Sequence, residues 1–245
     1  MHRTGALYGQ FSTLEQQKDT ATLGMWIFLV TEVMFFGGIM LAYTINRHAY
    51  FPAFAMGSNT LSLFLGGTNT VVLLASSFTM AMGVWSAQVG KKQLLTVFLV
   101  LTLILGCVFL GIKYIEYAQK FHHRLVPGRN FDITFCVNNP GKCRDLSAAE
   151  LEVEAEELAK AKAADPNLNA HAQLYYSLYF GMTGLHALHM IIGVGLLLYL
   201  LNESLVGRFS PEYNNPVDII GLYWHFVDIV WIYLFPLLYL IDRHR

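Results

Sequence analysis

Five apolar stretches, near residues 23–45, 60–85, 94–116, 173–202 and 217–241, limit what this chain can fold into. Each is about 20 residues or longer, the length at which an α-helix crosses the hydrocarbon of a bilayer. Inside lipid every backbone N–H and C=O must be satisfied within the protein, and for runs of this length that means helix. Composition agrees: 55% of the residues are hydrophobic and 13% charged, against about 25% charged in soluble domains. The expected fold is all-α, a polytopic membrane protein with five transmembrane helices and a polar extramembrane insertion between the third and fourth. A formal net charge of -1 excludes a generally basic nucleic-acid binder. The first twenty residues are polar and lack the apolar core of a cleavable signal, so the first span is expected to act as its own targeting signal.

Residues 1–22 read as a polar leader, where Ser12 and Glu15 have capping-box spacing and predict a short interfacial helix. Residues 23–116 hold the first three spans, with Asn46 to Asn59 as a short connection whose Tyr50, Phe51 and Phe54 suit a bilayer surface. Residues 117–172 form the polar insertion, with a helix near 148–164 that opens on a second capping box, Ser147 with Glu150. Glu156 and Lys160 add a favourable i,i+4 pair on that helix. Residues 173–245 carry the last two spans. Cys136 and Cys143 flank Asn138 to Gly141, a strong turn signal, and two cysteines placed so come within reach of a disulfide. Such a bond persists in an oxidising compartment, which puts the insertion outside. The basic residues Arg47, Arg243 and Arg245 would then also lie outside, against the positive-inside rule. Cys107, within the third span, reads as a small core residue.

Polar side chains within the spans are the candidates for function, because each is costly there and normally faces protein. Glu32 lies near the middle of the first span, and His186 and His189, one turn apart, lie at matching depth in the fourth. One of these histidines is expected to hydrogen-bond Glu32. Two histidines at i,i+3 have a spacing that metals use, but the aligned His-rich pattern of a haem or copper site is missing, so no metal is expected. His225 and Asp228 repeat the spacing in the fifth span, and Asp228 needs a partner, with His225 the nearest candidate. Lys113 and Glu116 read as a helix-end pair snorkelling to the interface. Asn69, among small residues, reads as interhelical glue. No phosphate-cradling glycine loop, Cys–His nucleophile pair or CxxCH is present, so no catalytic centre is expected in this chain.

The stretches GMWIFLVTEVMFFGG (24–38), NTVVLLASS (69–77), YIEY (114–117), GLHALHMIIG (184–193) and YWHFVDIVWIYLF (223–235) together resemble subunit III of haem-copper respiratory oxidases, in its five-helix bacterial form. The resemblance implies an accessory subunit that binds no cofactor itself, packs on an oxidase subunit I holding haem and copper, binds structural phospholipid and supports proton uptake. It implies that Glu32 corresponds to the family's carbodiimide-reactive glutamate, and that the first two helices stand apart from the last three around a lipid-filled groove. It also implies a bacterial plasma membrane location, with the N-terminus cytoplasmic and the insertion and C-terminus outside. The residues 118–172 have no counterpart in that resemblance. A quinol oxidase or a nitric oxide reductase would use a similar subunit. A self-contained transporter relaying protons through Glu32, His186, His189 and Asp228 is the alternative of a different class, though neither the repeats nor the broken helices common in transporters are evident.

Overall fold

The computed structural model describes residues 9–143, 146–211 and 213–241. The first part of the leader and the charges at Arg3, Arg243 and Arg245 lie outside the described residues. Among the described residues eight α-helices follow in chain order: α1 Leu14–Ala49, α2 Phe51–Asn59, α3 Leu63–Gln88, α4 Lys92–His122, α5 Phe135–Asn138, α6 Ala148–Ala164, α7 Leu168–Leu205 and α8 Asn215–Phe235. A 3₁₀ turn, Pro140–Lys142, follows α5, and a π turn, Pro236–Leu240, prolongs α8. Helices α1, α3, α4, α7 and α8 with its π turn are each long and apolar enough to span a membrane. The protein is thus an all-helical, multi-pass membrane protein.

Several boundaries differ from those read in the sequence. The leader does not form a helix of its own, because α1 starts at Leu14 and continues into the span for 36 residues, about 54 Å at 1.5 Å per residue. Its cap is also one residue later than expected. The Thr13 hydroxyl accepts from the Gln16 backbone N–H at 3.1 Å, while Gln16 Oε1 accepts from the Ser12 backbone and hydroxyl. Gln16, rather than Glu15, therefore closes this end of the helix, its side chain reaching back to Ser12. The connection Asn46 to Asn59 is itself helical, with α2 started by Pro52 in its first turn, where a missing N–H costs nothing. The insertion is shorter than 117–172, since α4 runs to His122 and α7 begins at Leu168.

The structure separates into two compact units. Unit 1 comprises Met1–Phe36, Asn69–Leu110 and His186–Ile232. Its core is built around Trp224, Trp231 and Phe109, all buried. Apolar helix faces gain nothing from leaving lipid for one another, so association depends on close packing and polar contacts. Both are present. A methyl group at Gly106 or Gly193 would strike the Trp224 ring at 2.8 or 2.9 Å, so bare backbone on α4 and α7 is what admits that ring. The indole N–H groups of Trp224 and Trp231 donate to Ser76 and Thr70 of α3 at 3.0 and 3.2 Å, and the Thr79 and Thr102 hydroxyls join α3 to α4 at 2.8 Å.

The first two spans are therefore not held apart from the other three within this unit. Besides those α3 contacts, Phe28 of α1 stacks on Tyr223 at 6.1 Å and Phe36 meets Phe226 edge-on at 6.4 Å. The expected separation around a lipid groove is corrected by these direct contacts: indoles and hydroxyls on facing helices satisfy one another. Apolar residues of α1 that face away from this packing, such as Met34, Val33 and Ile27, are exposed.

Unit 2 comprises Gly37–Thr68, Gly111–Leu185 and Tyr233–Arg245. Its core is a tyrosine cluster, Tyr43, Tyr175, Tyr176, Tyr179 and Tyr239, all fully buried. Arg47 donates to Tyr43 at 2.7 Å and to the Ile241 carbonyl at 3.1 Å. Tyr176 shares a 2.6 Å hydrogen bond with Thr60, whose carbonyl accepts from Lys120. Helix α6 packs on α2 and α5, and its capping box joins Ser147 and Glu150 in both directions.

Candidate functional site

Two polar centres result, one in each unit, the first partly buried and the second fully buried. In unit 1, α1 carries Glu32 and α7 carries His189, with Glu32 Oε2 and His189 Nε2 3.3 Å apart. This is an ion-pair distance without hydrogen-bond alignment, so the expected carboxyl–imidazole hydrogen bond is present only as a close contact. Phe36, one turn on from Glu32, covers the imidazole edge-on at 5.4 Å, and Tyr223 donates to the His189 carbonyl at 2.9 Å. His186 occupies a different environment, between the rings of Phe109 at 5.5 Å and Trp231 at 5.2 Å. Residues three apart on a helix differ in direction by about 60° at 3.6 residues per turn, and that rotation separates the two histidines' surroundings.

His225 and Asp228 do not pair with each other. The His225 Nδ1 meets the Ser77 hydroxyl of α3 at 2.7 Å. Asp228 is buried, and neither carboxyl oxygen has a hydrogen bond among the described residues; Ser77 is its polar neighbour, out of alignment. Asn69 is fully buried, and its amide makes no hydrogen bond among the described residues. The role expected of it, joining helices, is taken by the adjacent Thr70 through Trp231.

The centre in unit 2 corrects the reading of Lys113 and Glu116 most clearly. Helix α4 continues to His122, so the pair lies well inside it and is almost fully buried, at 4% and 2% exposed. Lys113 Nζ donates to Glu116 Oε2 at 2.8 Å and to the Tyr239 hydroxyl at 2.9 Å. Glu116 Oε1 accepts from the hydroxyls of Tyr179 and Tyr239. An ion pair with its lone pairs filled in this way is the form in which opposite charges are tolerated away from water. Sequence reasoning missed Tyr179 and Tyr239. The available signal was that an i,i+3 pair followed by six further helical residues has no helix end to snorkel from.

Cys136 and Cys143 are joined by a disulfide, with Cα atoms 5.6 Å apart, across the turn that α5 and the 3₁₀ segment form. The Nδ1 or Nε2 of His123 and the two sulfurs all lie within 4.8 Å of one another. Outside the spans, burial raises the pKa of Glu154 on α6, while the charges of His123 and Lys120 lower it and that of Glu157 raises it. Glu154, His123, Lys120, Cys136 and Glu116 line one cavity of about 880 Å³.

Taken together, these features define a polytopic helical membrane protein whose internal polar groups bind its own helices to one another. Residues 1–124 and 160–242 match the family model of cytochrome c oxidase subunit III, and the chain belongs to that family. It is 28% identical over 223 residues to a probable cytochrome c oxidase subunit 3 of Nocardia farcinica, covering 91% of this chain and 89% of that one. It is 30% identical over 228 residues to a probable cytochrome c oxidase subunit 3 of Mycobacterium leprae, covering 91% and 89%. A probable quinol oxidase subunit 3 of Staphylococcus haemolyticus is 28% identical over 220 residues, covering 89% and 88%. The family model passes over residues 125–159. The segment without counterpart is thus narrower than 118–172: the match runs through the end of α4 and resumes within α6.

Proposed function

We propose that this chain is the accessory subunit III of a proton-pumping haem-copper oxygen reductase, lacking a catalytic centre of its own. In this reading it packs on subunit I, which supplies the haems and copper, binds structural phospholipid along its exposed apolar helix faces and sustains proton uptake. It lies in a bacterial plasma membrane with its N-terminus cytoplasmic and the insertion outside. Family membership over both halves of the chain carries the proposal. The disulfide supports the orientation, since such bonds persist on the oxidising side.

A quinol-oxidising complex is the second reading, favoured by relatives of similar identity that bear that name. Electron donors are bound by other subunits, so the two readings share one role for this chain. The test is affinity purification of the tagged chain in mild detergent. Haem-containing chains are expected to co-elute and to reduce oxygen, with reduced cytochrome c or a quinol as donor deciding between the readings. Recovery of the chain without haem partners, together with solute-driven proton movement in liposomes holding it alone, would establish the transporter instead.

A further inference from the structure

The geometry points to a redox-gated site for a thiophilic d¹⁰ metal ion, Zn²⁺ or Cu⁺, formed by His123, Cys136 and Cys143. This inference is independent of the oxidase reading. It concerns a segment the family model passes over, since both cysteines fall within residues 125–159 and His123 stands at their edge.

Three observations carry it. The first is placement: one ring nitrogen and two sulfurs lie within 4.8 Å of one another. Ligand atoms around a tetrahedral zinc, with Zn–S near 2.3 Å and Zn–N near 2.0–2.1 Å, stand roughly 3.5–3.8 Å apart. Opening the disulfide frees the sulfurs to move apart toward that separation. The second is electrostatic. The Arg124 guanidinium lies 4.5 Å from the centre of the Phe135 ring, and Lys142 lies 5.8 Å from it; Phe135 directly precedes Cys136 and Lys142 directly precedes Cys143. Nearby cations favour the thiolate, which is the form that ligates metal. The third is access. His123 and Cys136 open onto the 880 Å³ cavity, where Glu154 and Glu157 supply negative charge to draw in a cation.

In the structure the site is closed, because each sulfur is bonded to the other. A dithiol reductant delivered to the oxidising face, where the bond otherwise persists, opens it by thiol–disulfide exchange. Two electrons break the S–S bond, two protons give the thiols of Cys136 and Cys143, and the dithiol becomes a disulfide. The ion then displaces both thiol protons and takes the neutral imidazole of His123 as its third ligand, leaving water or an acidic neighbour for any fourth position. Bound metal holds the sulfurs apart and delays their reoxidation.

The experiment uses the full-length chain in detergent, before and after treatment with a non-metal-binding phosphine reductant. Zn²⁺ is titrated in competition with a chromophoric chelator and, in a separate anaerobic arm, Cu⁺ in competition with its own chelator. One equivalent of at least one of the two ions is expected after reduction and none before. His123→Gln leaves the disulfide intact in the untreated protein, so its fold is secured, and after reduction it should bind more than about 100-fold more weakly, beyond the 10–100-fold that outer-shell changes cause. Cys136→Ser/Cys143→Ser should bind in neither state. Equal uptake before and after reduction, unchanged affinity in His123→Gln, or no uptake of either ion after reduction would overturn the proposal.

Discussion

Lys113 and Glu116 show how much of a residue's meaning depends on partners distant in sequence. Their types and spacing were legible, but their hydroxyl partners were not. Tyr179 and Tyr239 lie 63 and 123 residues from Glu116, and helix rotation, which short-range pattern does not determine, brings them in. The same limit misassigned His225 as the partner of Asp228 and gave Asn69 an interhelical role that Thr70 takes. It left the choice between His186 and His189 open, although Glu32, their depth and their residue types were all readable. The buried pair makes a sharp prediction. Lys113→Met strands the Glu116 carboxylate with only two hydroxyl donors, and removing one member of a buried pair costs about 3–5 kcal/mol. Lys113→Met/Glu116→Gln removes both charges and keeps an acceptor for Tyr179 and Tyr239, so it should recover most of that loss. Thermal unfolding of the purified chain, followed by near-ultraviolet dichroism of the tyrosine cluster, measures both. Equal destabilisation of the two variants would show that the charge itself, rather than its isolation, holds this core.

At the level of elements, the spans were legible because length and apolarity are local properties, and α6 because its capping box is written within four residues. Helix α2 was not, since Phe51, Pro52 and Phe54 suit a surface loop as well as a short helix until Gly57 lets Tyr175 press against its backbone. The insertion supplies the pH dependence. Burial, opposed by His123 and Lys120 and aided by Glu157, raises the Glu154 pKa in the folded state above its ordinary value of 4.5. The folded insertion therefore holds the proton more tightly than the unfolded one does. Stability from this group is fully present below about pH 4.5 and is lost as pH rises through the raised value. Glu154→Gln mimics the protonated form. It should slow amide exchange in α6 at pH 7, relative to wild type, and make no difference near pH 4. Exchange in α6 that is identical in the two proteins at both pH values would dismiss Glu154 as a determinant of the insertion's stability.

For the molecule as a whole, working within its proposed complex, the informative residue is Glu32. Its contact with His189 joins the first span to the fourth inside unit 1; Phe36 of α1 covers the same imidazole, and Tyr223 of α8 bonds the backbone carbonyl of His189. A carboxyl in this position serves either as a tie between helices or as a carrier that must load and release a proton in each turnover. The two roles respond differently to substitution. Glu32→Gln keeps shape and polarity, so a tie survives it and a carrier does not. Glu32→Ala removes the carboxyl that stands 3.3 Å from the His189 ring, and loosens the tie. As a tie, Glu32 predicts normal haem content and near-normal initial oxygen consumption in both variants, with a shortened working life in Glu32→Ala and an unchanged one in Glu32→Gln. Turnover number and the time course of inactivation, recorded on oxidase from matched membrane preparations, separate the cases. Loss of the first turnovers in Glu32→Gln would make the residue an obligatory proton carrier, because that substitution removes nothing but the titratable group.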